Sequence, residues 1–353
     1  MKVAVYTIAL NEAKHVKRWY ESTKEADYHL IADTGSTDDT VKIAKKLGII
    51  VHTISVKPFR FDDARNASLA LVPADADYCI AMDMDEIMRP GWREELEKAY
   101  AEGIDKPRYR FVTDFNPDGS IKAEFDGFRI HTRTNVRWVY PIHEVPQGYN
   151  REKEETAKMF NIESWHLPDG EKSRSNYLPM LESAAKENPD SRNLYYLGRE
   201  YFYHERFAEA LDTLKKYLEV SVFKAERGFA LRIMAKCDVP NAEEYLIKST
   251  EEYQSRESVL ALANHYYHTK QWKECNKVAK IALTKTEKAT EFMVEAWAWT
   301  HMADDLVAVS AWNLEQWQEA YEYGKKAVEI TPEDERLQTN LKFYKEKVGN
   351  DNT

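Results

Sequence analysis

Apolar residues follow two rhythms along this chain. Over about the first 125 residues, short β-rich runs at 2–9, 28–32, 49–54 and 78–82 alternate with helical spacing at 13–24, 37–47 and 63–71. Alternation at this pace predicts a mostly parallel sheet covered on both faces. From about residue 175 only the helical period remains. Leu194-Tyr-Tyr-Leu-Gly198 with Phe207-Ala208 is echoed by Ser258 to Ala263 with Trp272, and by Ala308 to Asn313 with Trp317 and Ala320-Tyr321. A degenerate copy falls between Gly228 and Tyr253. The spacing, near about 34 residues, predicts stacked helix-turn-helix units that bury their faces only against one another. An ordinary helical bundle is the alternative. The junction is expected at 169–175, giving an α/β domain over 1–170 and an all-α domain over 171–353.

Composition narrows the class. With 353 residues the chain has room for two cores, and 43% hydrophobic and 31% charged residues are ordinary for a globular protein. No apolar stretch approaches the roughly 20 residues that span a bilayer. The first apolar run is cut short by Asn11-Glu12 and reads as a buried strand, not a signal peptide. Cys79, Cys237 and Cys275 have no paired spacing, which argues against a disulfide framework or a zinc site and makes a reducing cytoplasm the expected compartment.

The net charge of −10 offers no general attraction to a phosphate backbone, so a nucleic-acid partner would need a local basic patch. Arg129, His131, Arg133, Asn135 and Arg137 share one parity and would line one face of a single strand. Such a face is either a solvated edge guarded by charge or a seat for an anionic acceptor.

The densest chemistry is Asp83-Met84-Asp85-Glu86, directly after the apolar run at 78–82. Carboxylates at i and i+2 of an extended chain point the same way and can grip a hard divalent cation. Asp33 closes an earlier strand, and in open parallel sheets ligands bind beyond such carboxyl ends.

Four collinear motifs make residues 1–170 resemble a family 2 glycosyltransferase of the GT-A fold. They are Thr7-Ile-Ala-Leu-Asn11-Glu12, Asp33-Thr-Gly-Ser36-Thr37-Asp38-Asp39-Thr40, Ala64-Arg65-Asn66, and Asp83-Met84-Asp85-Glu86, where Met replaces the usual Ala. The helical half resembles tetratricopeptide repeats. The resemblance implies a nucleotide-diphosphate sugar as donor, with Thr7 and Asp33, at the ends of the first two parallel strands, and Asn11 and Glu12 toward the nucleoside. Arg65 would lie toward the diphosphate, joined by Lys172 and Arg174. Asp83 would sit near the ribose or sugar, and Asp85 would hold Mn²⁺ or Mg²⁺ with His166 as a late ligand. Glu86 would orient the loop or touch the sugar. Inversion at the anomeric carbon requires a base, and Pro141-Ile142-His143-Glu144 supplies Glu144, with His143 beside it and Asp114 and Asp126 as fallbacks.

The acceptor is expected to be a protein or peptide held partly by the repeats, which also suit self-association. The alternatives are a saccharide of the lipopolysaccharide-core kind, a modified base of phage DNA, or a non-catalytic scaffold with a degenerate transferase domain.

Overall fold

The computed structural model describes residues 1–116, 119–134, 136–149, 156–168, 177–288 and 294–351. The chain divides into two compact units, Met1–Ala184 and Ala185–Thr353. Among the described residues no helix is long and apolar enough to cross a membrane.

The first unit opens with β1 (Val3–Ala9), α1 (Val16–Ser22), β2 (Tyr28–Asp33), α2 (Thr40–Lys46), β3 (Ile50–Thr53), α3 (Phe61–Leu71) and β4 (Tyr78–Ala81). These elements lie within a few residues of the periods read from the sequence. β3, β2, β1 and β4 run parallel in that order, and β8 (Ile130–Thr132) closes the sheet antiparallel to β4. Alternate side chains serve opposite cores. Val3, Val5, Ile31, Tyr78 and Ile80 face one, and Ala4, Tyr6, Leu30, Cys79 and Ala81 face the other. Burial on both faces explains why these strands read as continuous apolar runs.

A second sheet has the order β5 (Glu86–Met88), β11 (Ala157–His166), β6 (Lys106–Phe115) and β7 (Ile121–Gly127), with α4 (Trp92–Ala101) between β5 and β6 in sequence. β9 (Val136–Val139) and β10 (Val145–Gly148) form a separate hairpin. The basic stretch is therefore not one strand. Arg129 precedes β8 and Arg137 lies in β9, and these two strands belong to different sheets. His131 is fully buried, the Arg133 guanidinium donates to the Val72 carbonyl, and only Arg137 stays exposed in its strand. Asn135 lies outside the described residues. The expected cationic face does not form, because β8 and β9 are separate strands of different sheets and parity holds only within one strand.

The second unit consists of helix pairs. α5 (Tyr177–Glu187) lies mostly at the end of the first unit, and the pairs begin with α6 (Ser191–Tyr203) and α7 (Phe207–Val220); then come α8 (Lys224–Cys237) and α9 (Ala242–Glu252). α10 (Arg256–His268) and α11 (Trp272–Leu283) form the next pair, followed by α12 (Met302–Asn313), α13 (Trp317–Ile330) and α14 (Glu335–Asp351). Three hairpins share one turn. Glu205, Lys270 and Glu315 adopt φ of 59°, 58° and 60°, each followed by Arg or Gln and then an aromatic residue that opens the next helix. In each, the N–H after the left-handed residue returns to a carbonyl near the end of the preceding helix: Arg206 to Tyr201, Gln271 to Tyr266 and Gln316 to Ala311, all at 2.9 Å. That is a C-terminal helix cap repeated three times. The α8–α9 pair replaces it with a 3₁₀ turn at Val239–Asn241, which is why its sequence looks degenerate. The helical half is thus a tetratricopeptide-like array.

Candidate active site

The acidic tetrad sits where the two sheets of the first unit meet. β4 ends at Ala81, and the indole N–H of Trp19 on α1 donates to the Met82 carbonyl at 3.1 Å, fixing the exit of the chain. A tight turn follows, in which Glu86 N–H donates to the Asp83 carbonyl and Asp83 N–H donates to Glu86 Oε2. Glu86 then begins β5, whose antiparallel register with β11 sets His166 opposite Glu86. This register brings His166 Nε2 to 3.6 Å from Asp85 Oδ2.

Asp83 lies between two arginines. Arg65 from α3 donates to Oδ1 at 2.5 Å, and Arg129 donates to Oδ2 at 2.7 Å. Arg129 also reaches Glu86 Oε1 at 2.9 Å, and Arg65 Nε reaches Glu144 Oε1 at 2.9 Å. Arg65 is only 2% exposed, with its guanidinium 5.3 Å from the Trp138 ring and its Nη1 buried without a hydrogen-bond partner. It is therefore the hub of the cluster. Its partners are Asp83 and Glu144, whereas Asp62 and Asp63 pair with Arg60.

The electrostatics follow from this geometry. Burial acts to raise the Asp83 carboxyl, but Arg65 and Arg129 outweigh it and hold the group well below the usual carboxylate range. Glu86 goes the other way: burial pushes it up to about 7 against the pull of Arg129, and the charges of Asp83 and Asp85 add to the rise. His166 is raised by its hydrogen bond to Asp85.

The nucleoside-side residues are mostly engaged with one another. Thr7 lies inside β1, two residues before its end, and is fully buried with its hydroxyl on the Ile8 carbonyl; it does not close the strand as expected. Asn11 adopts φ +56° and accepts from Thr37 N–H at 2.8 Å, and its own N–H donates to Ser36 Oγ. Glu12 N–H donates to Thr40 Oγ1. Asp33 accepts from the N–H groups of Gly35 and Ser36. Much of the signature is thus architectural, knitting the loop after β1 to the loop after β2.

His143 and Glu144 lie in the β9–β10 turn, His143 exposed and Glu144 with 12% of its side chain exposed. Asp114 pairs with Lys122 on the β6–β7 hairpin, where Asp126 is also exposed. Lys172 and Arg174 lie outside the described residues.

The sequence put Arg129 on a basic strand face, either a solvated edge or a seat for an anionic acceptor, and left its part in this cluster unseen. No local pattern marks it, since its partners are more than 40 positions away.

Residues 4–148 match the model of glycosyl transferase family 2. An uncharacterized glycosyltransferase of Rickettsia conorii is 32% identical over 101 residues, 28% of this chain and 34% of that protein. The chain therefore spans about a third of the length of this curated relative. Among solved structures, glucosyl-3-phosphoglycerate synthase from Mycobacterium tuberculosis, in complex with Mn²⁺, uridine diphosphate and phosphoglyceric acid, is 26% identical. That match covers 31% of this chain and 43% of that one, with a TM-score of 0.27. A thermophilic TPR protein of Thermus thermophilus is 18% identical and covers 47% of this chain and 88% of that one, with a TM-score of 0.32. The glycosyl transferase match ends at the β9–β10 hairpin and so takes in Asp33, Arg65, the acidic tetrad and Glu144.

A metal ion fits the tetrad only as a partly protein-bound guest. Among the described residues no group of three or more His, Cys, Asp and Glu side chains could hold one alone. Asp85 and His166 offer a carboxylate and an imidazole side by side, a donor pair suited to Mn²⁺. Cations of this class commonly take one or two protein ligands and complete their shell with diphosphate oxygens and water. The charge balance agrees: even without Glu86, the carboxylates of Asp83, Asp85 and Glu144 outnumber the guanidinium groups of Arg65 and Arg129.

Proposed function

We propose that the protein is a metal-dependent, inverting glycosyltransferase that uses a nucleotide-diphosphate sugar and delivers the sugar to a protein or peptide acceptor. The observation that carries this reading is the buried Arg65 guanidinium joined at once to Asp83 and Glu144, beside the Asp85–His166 pair. Asp85 and His166 hold a divalent cation, Mn²⁺ or Mg²⁺, which when bound neutralises charge on the departing diphosphate. Asp83, kept ionised by two arginines, accepts hydrogen bonds from donor hydroxyls at the edge of its exposed third. Asp33 takes a nucleoside hydroxyl or N–H.

The acceptor oxygen attacks the anomeric carbon from the side opposite the diphosphate. The new carbon–oxygen bond forms as the bond to the phosphate oxygen breaks, and that oxygen keeps the electron pair. The acceptor proton passes to Glu144, on the oxygen opposite the one that accepts from Arg65. With no acceptor present, water takes its place and the donor is slowly hydrolysed.

The helical array favours a protein or peptide acceptor, because stacked helix pairs offer an extended surface for chain-like ligands. A saccharide acceptor is the second reading, favoured by Phe125, an aromatic ring 51% exposed on β7 and 5.1 Å from Phe111, which in turn lies 6.3 Å from the His166 ring. The test is to incubate the protein with UDP-, GDP- and dTDP-sugars and Mn²⁺ and to measure nucleoside diphosphate release. Metal-dependent release from one donor class is expected. No release and no nucleotide binding would favour a non-catalytic scaffold.

A further inference from the structure

Asn66 follows Arg65 on α3, and both ends of its side-chain amide meet the backbone of one residue on β9. Asn66 Nδ2 donates to the Trp138 carbonyl at 2.8 Å, and Trp138 N–H donates to Asn66 Oδ1 at 2.8 Å. The contact reproduces what a neighbouring strand would supply, so the backbone of Trp138 is satisfied by a helix side chain. It also sets the amide orientation, since a flipped amide would place donor against donor and acceptor against acceptor.

Trp138, 1% exposed, continues the connection inward. Its indole N–H donates to Tyr6 Oη at 2.7 Å, Tyr6 is 3.0 Å from His131 Nε2, and His131 Nδ1 is 2.8 Å from the Thr132 carbonyl. An indole only donates and a carbonyl only accepts, so the direction is forced. The Tyr6 hydroxyl donates to Nε2, and the proton of a neutral His131 sits on Nδ1. α3, β1, β8 and β9 are thereby tied through one chain of hydrogen bonds, whose two links to Tyr6 are fully buried.

A second hold lies one turn earlier on the same helix, where Phe61 N–H donates to the Pro141 carbonyl at 3.1 Å. Between and just beyond these holds runs the turn that leads to Glu144. Tyr140 and His143 adopt φ of +77° and +54°, conformations that residues with a Cβ avoid unless their surroundings impose them.

We propose that Asn66 is a positioning residue: by clamping Trp138 it imposes the strained 140–143 turn and so keeps Glu144 on the Arg65 guanidinium. This rests on the reading of Glu144 as the base. The residue whose backbone Asn66 holds also carries the ring against which Arg65, the partner of Glu144, packs.

The test uses the full chain with Asn66→Ala and with Asn66→Asp, which keeps an acceptor oxygen and loses the Nδ2 donor. Hydrogen exchange of the amides over 139–148 is expected to rise about tenfold or more in both variants, with the strands β1 and β4 unchanged. With the UDP-, GDP- and dTDP-sugar panel and Mn²⁺, kcat for nucleoside diphosphate release is expected to fall roughly 10- to 100-fold while the donor KM holds. In a Glu144→Gln background, Asn66→Ala should add almost nothing, because its effect passes through Glu144. Unchanged exchange over 139–148 overturns the proposal, and so does an equal loss of kcat in both backgrounds. If the unaltered protein turns over no donor, the transfer reading fails, and the exchange measurement alone still decides whether Asn66 holds the turn. Should Asn66→Ala fail to fold, Asn66→Asp carries the same comparison.

Discussion

Around Asp83 the N-terminal unit gathers Arg65, Arg129, Glu86 and Glu144 into one network, with Arg65 and Glu86 each 2% exposed. In the helical unit the buried charges Arg232, Glu257 and Asp304 are spread over α8, α10 and α12, and helices approach closely at glycines. A Cβ added to Gly198 would stand 2.6 Å from the Leu214 side chain, and one added to Gly324 would stand 2.7 Å from the Tyr344 ring. The difference teaches what each unit is built to hold. Clustered buried charge is costly, is kept only when every partner is in place, and marks a site. Repeated small-residue contacts make an array whose stability is a sum of neighbour terms.

The largest effect that would sharpen this contrast is on turnover. Asp85→Ala should lower metal-dependent nucleoside diphosphate release by about 1,000-fold, the scale of several kcal/mol of charge stabilisation, while thermal melting of the helical unit stays put. Retained turnover would remove Asp85 from the metal role.

Next in size is Arg129→Met, which leaves Asp83 and Glu86 without a shared partner. A loss of about 3–5 kcal/mol is expected in denaturant melts read from the N-terminal unit. A loss under about 1 kcal/mol, the usual worth of a surface pair, would mean that the cluster is hydrated and not a dry network.

Acid should separate the two units as well. Burial pulls the His131 imidazole from 6.5 down to about 4. Between those values the unfolded chain binds a proton that the folded unit refuses, so this contribution is complete above pH 6.5 and is lost as the pH falls toward 4. The full loss is on the order of 3 kcal/mol. His131→Gln, which still offers Tyr6 an acceptor, should flatten the pH dependence of melting in this window, and an unchanged slope would assign it to other groups.

The smallest effect belongs to the array. Gly198→Ala should cost a net of about 1–2 kcal/mol, overpacking against Leu214 outweighing the gain in helix propensity. The loss should appear in melting of the helical unit alone, with turnover unchanged. A stabilised variant would show that α6 and α7 can separate freely.

The parallel core was legible because burial on both faces leaves continuous apolar runs at 2–9, 28–32 and 78–82, which strands β1, β2 and β4 occupy. The helical array was legible from recurring aromatic and small residues such as Phe207, Trp272 and Trp317, while the left-handed caps at Glu205, Lys270 and Glu315 that precede them came only with the structure. The basic stretch misled, because parity holds only within one strand and its residues fall on two strands, β8 ending at Thr132 and β9 beginning at Val136. Thr7 misled by two residues of strand, enough to move a hydroxyl from an edge into the interior.

By itself the sequence determined which residues could become strands and helices, and it placed carboxylates where strands end, because periodicity and burial are local properties of the chain. Only the tertiary structure decided that Arg65 and Arg129 share the two oxygens of Asp83, that β11 sets His166 beside Asp85, and that Asn66 grips Trp138. Those contacts join residues 18 to 81 positions apart, and a charge network is settled by which surfaces meet once the sheets and helices pack.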